Sequence, residues 1–411
     1  SARLAPMSAT TDQSTLPDPV AAKSNERRAL GTACGAHALH DGYTDLVYVM
    51  LPIWQAEFGL SFAALGLMRT VFSGTLAGFQ IPAGFVAERF GAPTVLALGT
   101  ALAGFGYIFA GYSNGLGVLV AALFVGGLGA STQHPLASSL IAHAFAGARS
   151  LKALGTYNFA GDIGKMILPA AAALLLMALP WRYVLMILGV IGALAALAIF
   201  VAMPRFNDAH VSSRKDDHAR RAVGAVKRSA FSLLLSVGVI DSATRMAFLT
   251  FLPFVLTAKG ASVQLVGLAL TLVFAGGAMG KLVCAFLAAR IGAVATVWLT
   301  ETVTAVGIVA LLPLPLERAL ILLPIVGVAL NGTSSVLYGS VPDLVEPAGR
   351  QRAFSIFYTG TIGAGAVSPA IYGLVGDAVG VPVALMVIAA VVLITLPITF
   401  VLRPALAARP R

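Results

Sequence analysis

The feature that most constrains this chain is a recurring run of apolar residues, each about 20 residues long and so able to cross a bilayer as a helix. Of the 411 residues, 58% are hydrophobic and only 11% are charged, whereas average globular proteins carry about 25% charged residues. So few charges could not cover the surface of a soluble protein of this size. The sequence therefore predicts an all-α membrane protein and excludes a soluble enzyme, a disordered chain and a disulfide scaffold. Twelve runs are found, at approximately 31–54, 63–87, 93–112, 116–142, 153–178, 181–203, 231–257, 264–289, 292–313, 319–341, 353–375 and 381–402.

One charged stretch, 204–229, divides the twelve runs into two sets of six. The predicted organisation is a disordered cytoplasmic tail (1–29), an N-terminal six-helix bundle (30–203), a cytoplasmic basic linker (204–229), a C-terminal six-helix bundle (230–403) and a cytoplasmic tail (404–411).

The distribution of basic residues predicts the orientation. Most of the 27 Lys and Arg residues fall on one side of the predicted membrane, and only Arg182, Lys259 and Arg318 lie in segments on the other side. Under the positive-inside rule both termini are then cytoplasmic, in a multi-pass protein of the bacterial inner membrane. The net charge of +10 is not gathered into a basic stripe with interleaved aromatic residues, so no nucleic-acid partner is predicted.

The two halves repeat in sequence at a constant offset. Pro52 aligns with Pro253, Ser61 aligns with Ser262, and 89–92 aligns with 290–293. Two halves related by a parallel repeat are typical of transporters in which two bundles rock around a site near the membrane midplane.

Several motifs give the repeat a family resemblance. Gly84-x-x-x-Glu88-Arg89-x-Gly91 resembles the loop between helices 2 and 3 of the major facilitator superfamily, although Glu88 stands where Asp is usual and the closing basic residues are absent. Further motifs resemble the fosmidomycin-resistance branch of that superfamily: His37-x-x-x-Asp41, His134-Pro135 and Gly161-Asp162-x-Gly164. The resemblance implies twelve transmembrane helices in the major facilitator fold, and it implies drug efflux by a branch whose name-giving drug is a phosphonate. Asp162 replaces an Asn of the branch.

Ionisable residues inside the predicted helices carry most of the functional information, because each costs at least about 2.5–3.5 kcal/mol at the bilayer centre. At 100° per residue, His37, His40, Asp41, Asp45 and Tyr48 share one face of the first helix. A carboxylate beside an imidazole suits proton coupling. The alternative is that Asp41 only accepts a hydrogen bond from a neighbouring helix. The predicted proton-coupling residues are Asp41, His37, His134 and Asp162.

Other polar residues have two interpretations each. Asn158, Asp162 and Lys165 share one helix face, where Lys165 could hold an anion or simply neutralise Asp162. Asp241 and Arg245 could likewise face the cavity or form an intrahelical ion pair, and His134 could instead satisfy the backbone carbonyl that Pro135 leaves free. The predicted substrate-binding residues are His40, Lys165, Arg245, Asp241, Arg69, Lys281, Asn158, Tyr48, Ser335 and Tyr338, and their cations favour an anionic substrate. Glu88, Arg89 and Arg290 are predicted to form gating ion pairs.

Several absences complete the sequence-based hypothesis. No phosphate-binding loop ending in Lys-Ser or Lys-Thr occurs, so ATP is not the predicted energy source. No metal site or other cofactor is predicted, since the His and Asp candidates lie on separate helices without a diagnostic spacing. No nucleophile–base pair stands out, so no enzyme is predicted.

The predicted function is proton-coupled transport of a small, anionic organic molecule by alternating access, most simply as efflux by an antiporter, with a monomer as the expected state. Two alternatives remain open. One is a proton symporter that imports a small organic anion or amino acid. The other is a transporter-like sensor that signals through 204–229.

Overall fold

The computed structural model describes residues 19–145, 148–204, 225–345 and 350–407, and helices account for nearly all of them. The predicted tails and the predicted basic linker therefore lie partly outside the described residues, at 1–18, 205–224 and 408–411. The predicted disorder does not extend to residue 29, because the first helix begins at Pro19. Its first turns carry good helix formers, and Glu26 accepts a hydrogen bond of 3.0 Å from Arg149.

The described part of the chain forms two sets of helices. In the amino-terminal half, α1 to α8 span Pro19–Phe58, Phe62–Gly78, Gln80–Phe90, Ala92–Gly111, Leu116–Ala130, Gln133–Ala144, Ala148–Leu175 and Trp181–Ala202. In the carboxyl-terminal half, α9 to α15 span Ala225–Ala258, Val263–Ile291, Ala293–Leu311, Leu316–Ser340, Arg350–Val379, Val381–Val392 and Thr395–Ala407. α15 thus enters the predicted carboxyl-terminal tail.

These helices account for the twelve predicted runs. Among the described residues, nine spans are long and apolar enough to cross a membrane, and α2 and α3, bent by 43° at their junction, give a tenth. α1 and α7, which carry the clustered ionisable residues, cover the remaining two runs. The all-α fold with two six-helix halves is therefore the observed architecture.

The sequence repeat extends to the backbone at both ends of the second span of each half. Ser61 caps α2 by accepting a hydrogen bond from the Ala64 amide, and Ser262 caps α10 in the same way. At the other end, Gly91 and Gly292 follow α3 and α10 with φ of 85° and 86°. Only glycine adopts this left-handed conformation without a steric penalty, so both halves end this span with the same turn.

Large apolar side chains cover the outside of the helices. Phe85, Leu194, Leu282 and Ile321 are 62–75% exposed, and such residues continue along most of the described helices. An apolar surface of this extent marks a membrane-facing protein. The chain is therefore a multi-pass membrane protein.

The two halves touch along α2 with α13 and α7 with α10. A Cβ atom at Gly66 would lie 2.2 Å from the carbonyl oxygen of Pro369, so glycine is needed for this approach. At the end that carries the α1–α2 turn, the Phe62 ring meets Phe251 and Phe254 edge to face. The halves are thus closed against each other at the predicted periplasmic end.

Asp377 of α13 completes this closure. Its carboxylate accepts hydrogen bonds from the backbone amides of Phe62 at 2.6 Å and Ala63 at 2.9 Å. An acid at a helix N-terminus is stabilising because the first amides have no partner within their own helix. One half therefore caps a helix of the other.

Asp377→Ala is expected to weaken this closure. The loss of two exposed hydrogen bonds is worth about 1 kcal/mol, which shifts a two-state equilibrium about fivefold toward separation of the halves at this end. Distances between spin labels at the exposed Ala56 and Ala258 measure that shift. Glu317→Ala, at an exposed acid elsewhere, is the control, and an unchanged distance distribution in Asp377→Ala would contradict the capping role.

Candidate functional site

Asp41 is the centre of a cluster built from three helices of the amino-terminal half. Its Oδ1 atom lies 3.3 Å from His37 Nε2 on the same helix and 3.7 Å from His134 Nε2 on α6. Its Oδ2 atom lies 3.2 Å from Lys165 Nζ on α7. The Asp41 side chain is only 11% exposed, whereas those of Lys165 and His134 are 30% and 44% exposed. The cluster is therefore buried on the Asp41 side and accessible on the side of its basic partners.

His37 is held by a backbone carbonyl and lies beside Asp41. His37 Nδ1 lies 2.8 Å from the carbonyl oxygen of Tyr157, and the two rings stack at 4.0 Å. A carbonyl only accepts hydrogen bonds, so Nδ1 must carry the hydrogen. A neutral His37 would then turn the lone pair of Nε2 toward the Asp41 carboxylate. A hydrogen bond here needs one further proton, on either Nε2 or Asp41.

Gly161 provides the space for this pair on α7. A Cβ atom there would lie 2.7 Å from both Asp41 Oδ2 and His37 Cε1. Contacts this short force the neighbouring side chains to move.

Gly161→Ala is therefore expected to displace Asp41 from His37 and to lower the rate of the transport that the sequence predicts by on the order of tenfold or more, as geometric errors near 1 Å do at reacting groups. Gly155→Ala is the matched control, since no atom lies within 4 Å of a Cβ atom at that position of the same helix. Equal rates for the two variants would show that the space beside Asp41 is not critical.

The same three residues could offer ligands to a metal ion. One ligand atom each of His37, Asp41 and His134 lies within 4.8 Å of the others. The sequence predicts no metal site because the candidates lie on separate helices without a diagnostic spacing. The fold nevertheless brings these three residues together. The Lys165 ammonium beside the other oxygen of Asp41 disfavours a second cation, so the absence of a metal stays a prediction.

Asp162 pairs across the two halves. Lys281 Nζ on α10 donates to Asp162 Oδ1 at 2.7 Å and to Oδ2 at 2.6 Å. The structure does not contain the alternative pair, in which Lys165 would neutralise Asp162 on α7. Lys165 contacts Asp41 instead. Both lysines predicted to bind substrate are thus held by carboxylates.

A second polar group, on α1, α2 and α4, is largely buried. The Arg69 guanidinium, 1% exposed, donates to Ser73 at 2.7 Å and to the Tyr48 hydroxyl at 3.1 Å, and it lies 3.7 Å from Asp45. His40 Nε2 lies 2.9 Å from Thr100 Oγ1. In this conformation Arg69, Tyr48 and His40 are held by these neighbours, and their role in substrate binding stays a prediction.

The predicted residues of the carboxyl-terminal half are more dispersed. Arg245 is half-buried and reaches Ser334 Oγ at 3.4 Å. The Tyr338 hydroxyl lies 3.1 Å from Thr361 Oγ1, whereas the Ser335 hydroxyl bonds the backbone of its own helix. Asn158 of α7 is exposed, and Asp241 is 3% exposed. Among the described residues Arg245 forms no ion pair and donates to Ser334 Oγ instead, so the structure does not contain the intrahelical pair with Asp241.

The predicted gating residues lie at the end opposite the closure. Glu88, Arg89 and Arg290 are exposed. The Arg89 guanidinium lies over the Phe90 ring, and that of Arg290 lies over the Phe286 ring. With the described residues neither arginine forms an ion pair, so state-dependent pairs here stay a prediction.

The family model described as Major Facilitator Superfamily matches residues 33–240 and 233–411. This chain belongs to the major facilitator superfamily. Members of the superfamily are transporters, so family and fold both assign the chain to transport.

Within the superfamily, the chain is 23% identical over 353 residues to "Fosmidomycin resistance protein" of Escherichia coli (strain K12), covering 85% of this chain and 86% of that protein. The resemblance to that branch is thereby confirmed. A 28% identical match over 165 residues is "Probable sulfoacetate transporter SauU" of Cupriavidus necator, covering 39% of this chain and 38% of that protein. A crystal structure of a bacterial homolog of the human lysosomal transporter Spinster has the same fold, with a TM-score of 0.79 at 16% identity over 93% of this chain and 97% of that one.

Proposed function

We propose that this superfamily member is a proton-coupled secondary transporter of small organic anions that works by alternating access. The observation that carries the proposal is the Asp41 cluster, in which one buried carboxylate contacts two imidazoles and a lysine. Imidazole exchanges protons near neutral pH. An ionisable cluster inside a membrane protein is costly and marks a transport pathway.

The electrostatics of the cluster link the proton to the anion. When Asp41 is ionised, it neutralises Lys165 at 3.2 Å. A proton that reaches Asp41 through the accessible His134 removes the negative charge and frees the Lys165 ammonium. Lys165 then offers its positive charge to an anion. His37, fixed by the Tyr157 carbonyl, holds the carboxyl group in place during this exchange.

The relatives support an anionic substrate. One is named for resistance to fosmidomycin, a phosphonate, and another is named as a sulfoacetate transporter. Both compounds combine a small carbon skeleton with an acidic group. The cations in this chain have the charge needed to bind such groups.

Efflux by antiport, as the sequence predicts, requires that the transporter does not bind the proton and the substrate at the same time. For an anion the ion pair between Asp41 and Lys165 favours the opposite, because protonation of Asp41 frees the lysine that binds the anion. Proton–anion symport is therefore the second candidate. A cationic substrate would instead compete with the proton for the Asp41 carboxylate, and that competition suits antiport.

Proteoliposomes containing an internal pH dye test both modes. Vesicles are loaded with sulfoacetate, methylphosphonate, an amino acid or tetraphenylphosphonium and diluted into buffer at equal pH. An anion that leaves by antiport acidifies the lumen, whereas an anion that leaves by symport makes the lumen alkaline. A response to tetraphenylphosphonium alone would refute the anionic substrate, and no response to any of the four would refute proton coupling of these substrate classes.

The membrane placement is part of the proposal. We place the chain in the bacterial inner membrane as a monomer with both termini in the cytoplasm, on the basis of its Lys and Arg distribution. Reporter fusions at each terminus and at the Lys259 turn test the orientation. Both termini should report cytoplasm and the turn should report periplasm.

A further inference from the structure

An apolar groove lies on the outside of the amino-terminal half, beside the junction of α2 and α3. Pro82, in the first turn of α3, has no amide hydrogen to donate to the Gly78 carbonyl, so a continuous helix is unfavourable there. The span bends by 43° at this junction. In the sequence repeat Val283 stands at the position of Pro82, and α10 continues unbroken over Val263–Ile291. The bend beside the groove is therefore specific to the amino-terminal half.

The groove has room for a hydrocarbon chain. Its volume is about 390 Å³, whereas an engineered apolar cavity of about 150 Å³ already binds benzene. Leu98 of α4, which lines the groove, is 63% exposed, so the groove is open toward the lipid. One face of α3 forms a wall of the groove, with residues at helical spacing: Phe79, Pro82, Ala83, Val86 and Phe90.

The hydroxyl groups in the lining are already used within the chain. Ser131 Oγ donates to the Leu128 carbonyl at 2.7 Å, and Thr132 Oγ1 donates to the Gly129 carbonyl at 3.0 Å. The lining side chains therefore offer no free donor to a ligand. A polar molecule would lose its hydrogen bonds to water here without replacing them, whereas a hydrocarbon chain has none to lose.

A cation lies at one end of this groove. The Arg89 guanidinium is 5.6 Å from the centre of the Phe90 ring, and Phe90 lines the groove. Arg89 is exposed, and with the described residues it forms no ion pair. At 100° per residue, the neighbouring acid Glu88 lies on the face of α3 opposite Val86 and Phe90. Positive charge therefore adjoins the groove on the side of the membrane that we place in the cytoplasm.

We propose that this groove is a binding site for an anionic phospholipid, with one acyl chain in the groove and the phosphate beside Arg89. Moving a chain from lipid to protein gains no hydrophobic energy, so the charge of the head group decides which lipid binds. A phosphate accepts the charge-assisted hydrogen bonds that a guanidinium offers, and the cytoplasmic leaflet carries anionic lipids. The site is separate from the Asp41 cluster and does not depend on the proposed transport function.

Photocrosslinking tests this site without any substrate. The full-length protein is placed in phosphatidylcholine nanodiscs with a trace of phosphatidylglycerol that carries a photoreactive group on its acyl chain, and labelled peptides are mapped by mass spectrometry. We expect labelling of α3 and α4 that unlabelled phosphatidylglycerol removes and added phosphatidylcholine does not. Arg89→Gln should lower this labelling about fivefold, the effect of one basic residue on the attraction of anionic lipid.

Two further variants make the result specific. Arg290 is the repeat counterpart of Arg89 and lies over the Phe286 ring, and neither residue lines this groove, so Arg290→Gln should leave the labelling of α3 and α4 unchanged. Ala83→Phe places a ring in the groove and should abolish the labelling, with thermal unfolding as the check that this variant folds.

Three outcomes would overturn the proposal. The first is equal labelling of the wild type and Arg89→Gln, and the second is equal competition by phosphatidylcholine, since either would show that the head-group charge is not recognised. The third is displacement of the probe by tetraphenylphosphonium, which would identify the groove as a site for lipophilic cations instead.

Discussion

Asp41→Asn is expected to abolish proton-coupled transport while the protein remains folded. Asparagine has nearly the shape of aspartate, but it cannot exchange a proton at this position, and it no longer neutralises Lys165 at 3.2 Å. The internal-pH signal of proteoliposomes should fall to that of protein-free vesicles. A proton flux equal to that of the wild type would refute Asp41 as the coupling group.

A second readout separates coupling from folding. Exchange of labelled substrate for unlabelled substrate at equal concentrations on both sides requires binding and reorientation but no net proton movement. This exchange should survive in Asp41→Asn, and Glu317→Gln should leave both readouts unchanged. Loss of both exchange and proton flux in Asp41→Asn would indicate a structural role for the residue.

The Asp162–Lys281 pair is expected to couple the two halves energetically. Asp162→Asn leaves the Lys281 ammonium without its partner, and Lys281→Met leaves the Asp162 carboxylate without its partner. The side chains of Asp162 and Lys281 are 10% and 39% exposed. A double-mutant cycle by thermal unfolding should give a coupling energy of about 0.5–3 kcal/mol, which is the range for groups in direct contact. This value is below the cost of breaking a fully buried pair because Lys281 is partly exposed to solvent.

The exchanged variant provides the sharper control for this pair. Asp162→Lys combined with Lys281→Asp restores opposite charges at the same two positions, and it should recover part of the stability that either single variant loses. Glu317→Gln with Arg318→Gln serves as the matched exposed pair and should show little coupling. Additive effects of Asp162→Asn and Lys281→Met would contradict a direct interaction between the halves.

The sequence predicted the fold well because its signals do not depend on how distant segments pack together. The length of the apolar runs identified the spans, and the spacing of His37, Asp41 and Tyr48 identified one polar face of α1. The offset between 89–92 and 290–293 predicted a repeat that the turns at Gly91 and Gly292 confirm.

The partners within the site could not be predicted in the same way. Helical spacing placed Lys165 next to Asp162, but α1 and α10 bring Asp41 and Lys281 closer to these two residues. The contact between His37 and Tyr157 uses a backbone carbonyl, which every residue has, so no side-chain pattern could identify it.

One further feature was undervalued for a similar reason. Glycine at 161 was read as part of a family motif, whereas in the fold it also leaves room beside Asp41. Packing between distant segments determines that role.

All four members of the Asp41 cluster belong to the amino-terminal half, on α1, α6 and α7. A rocking motion of one half against the other can therefore carry this cluster as a rigid unit. The side of the membrane from which water reaches His134 then changes, while the distances among the four groups do not. By contrast, the Asp162–Lys281 contact joins the halves and must lengthen in the same motion. In the proposed mechanism, the group that binds the proton is thus separate from the contact that changes with the conformation.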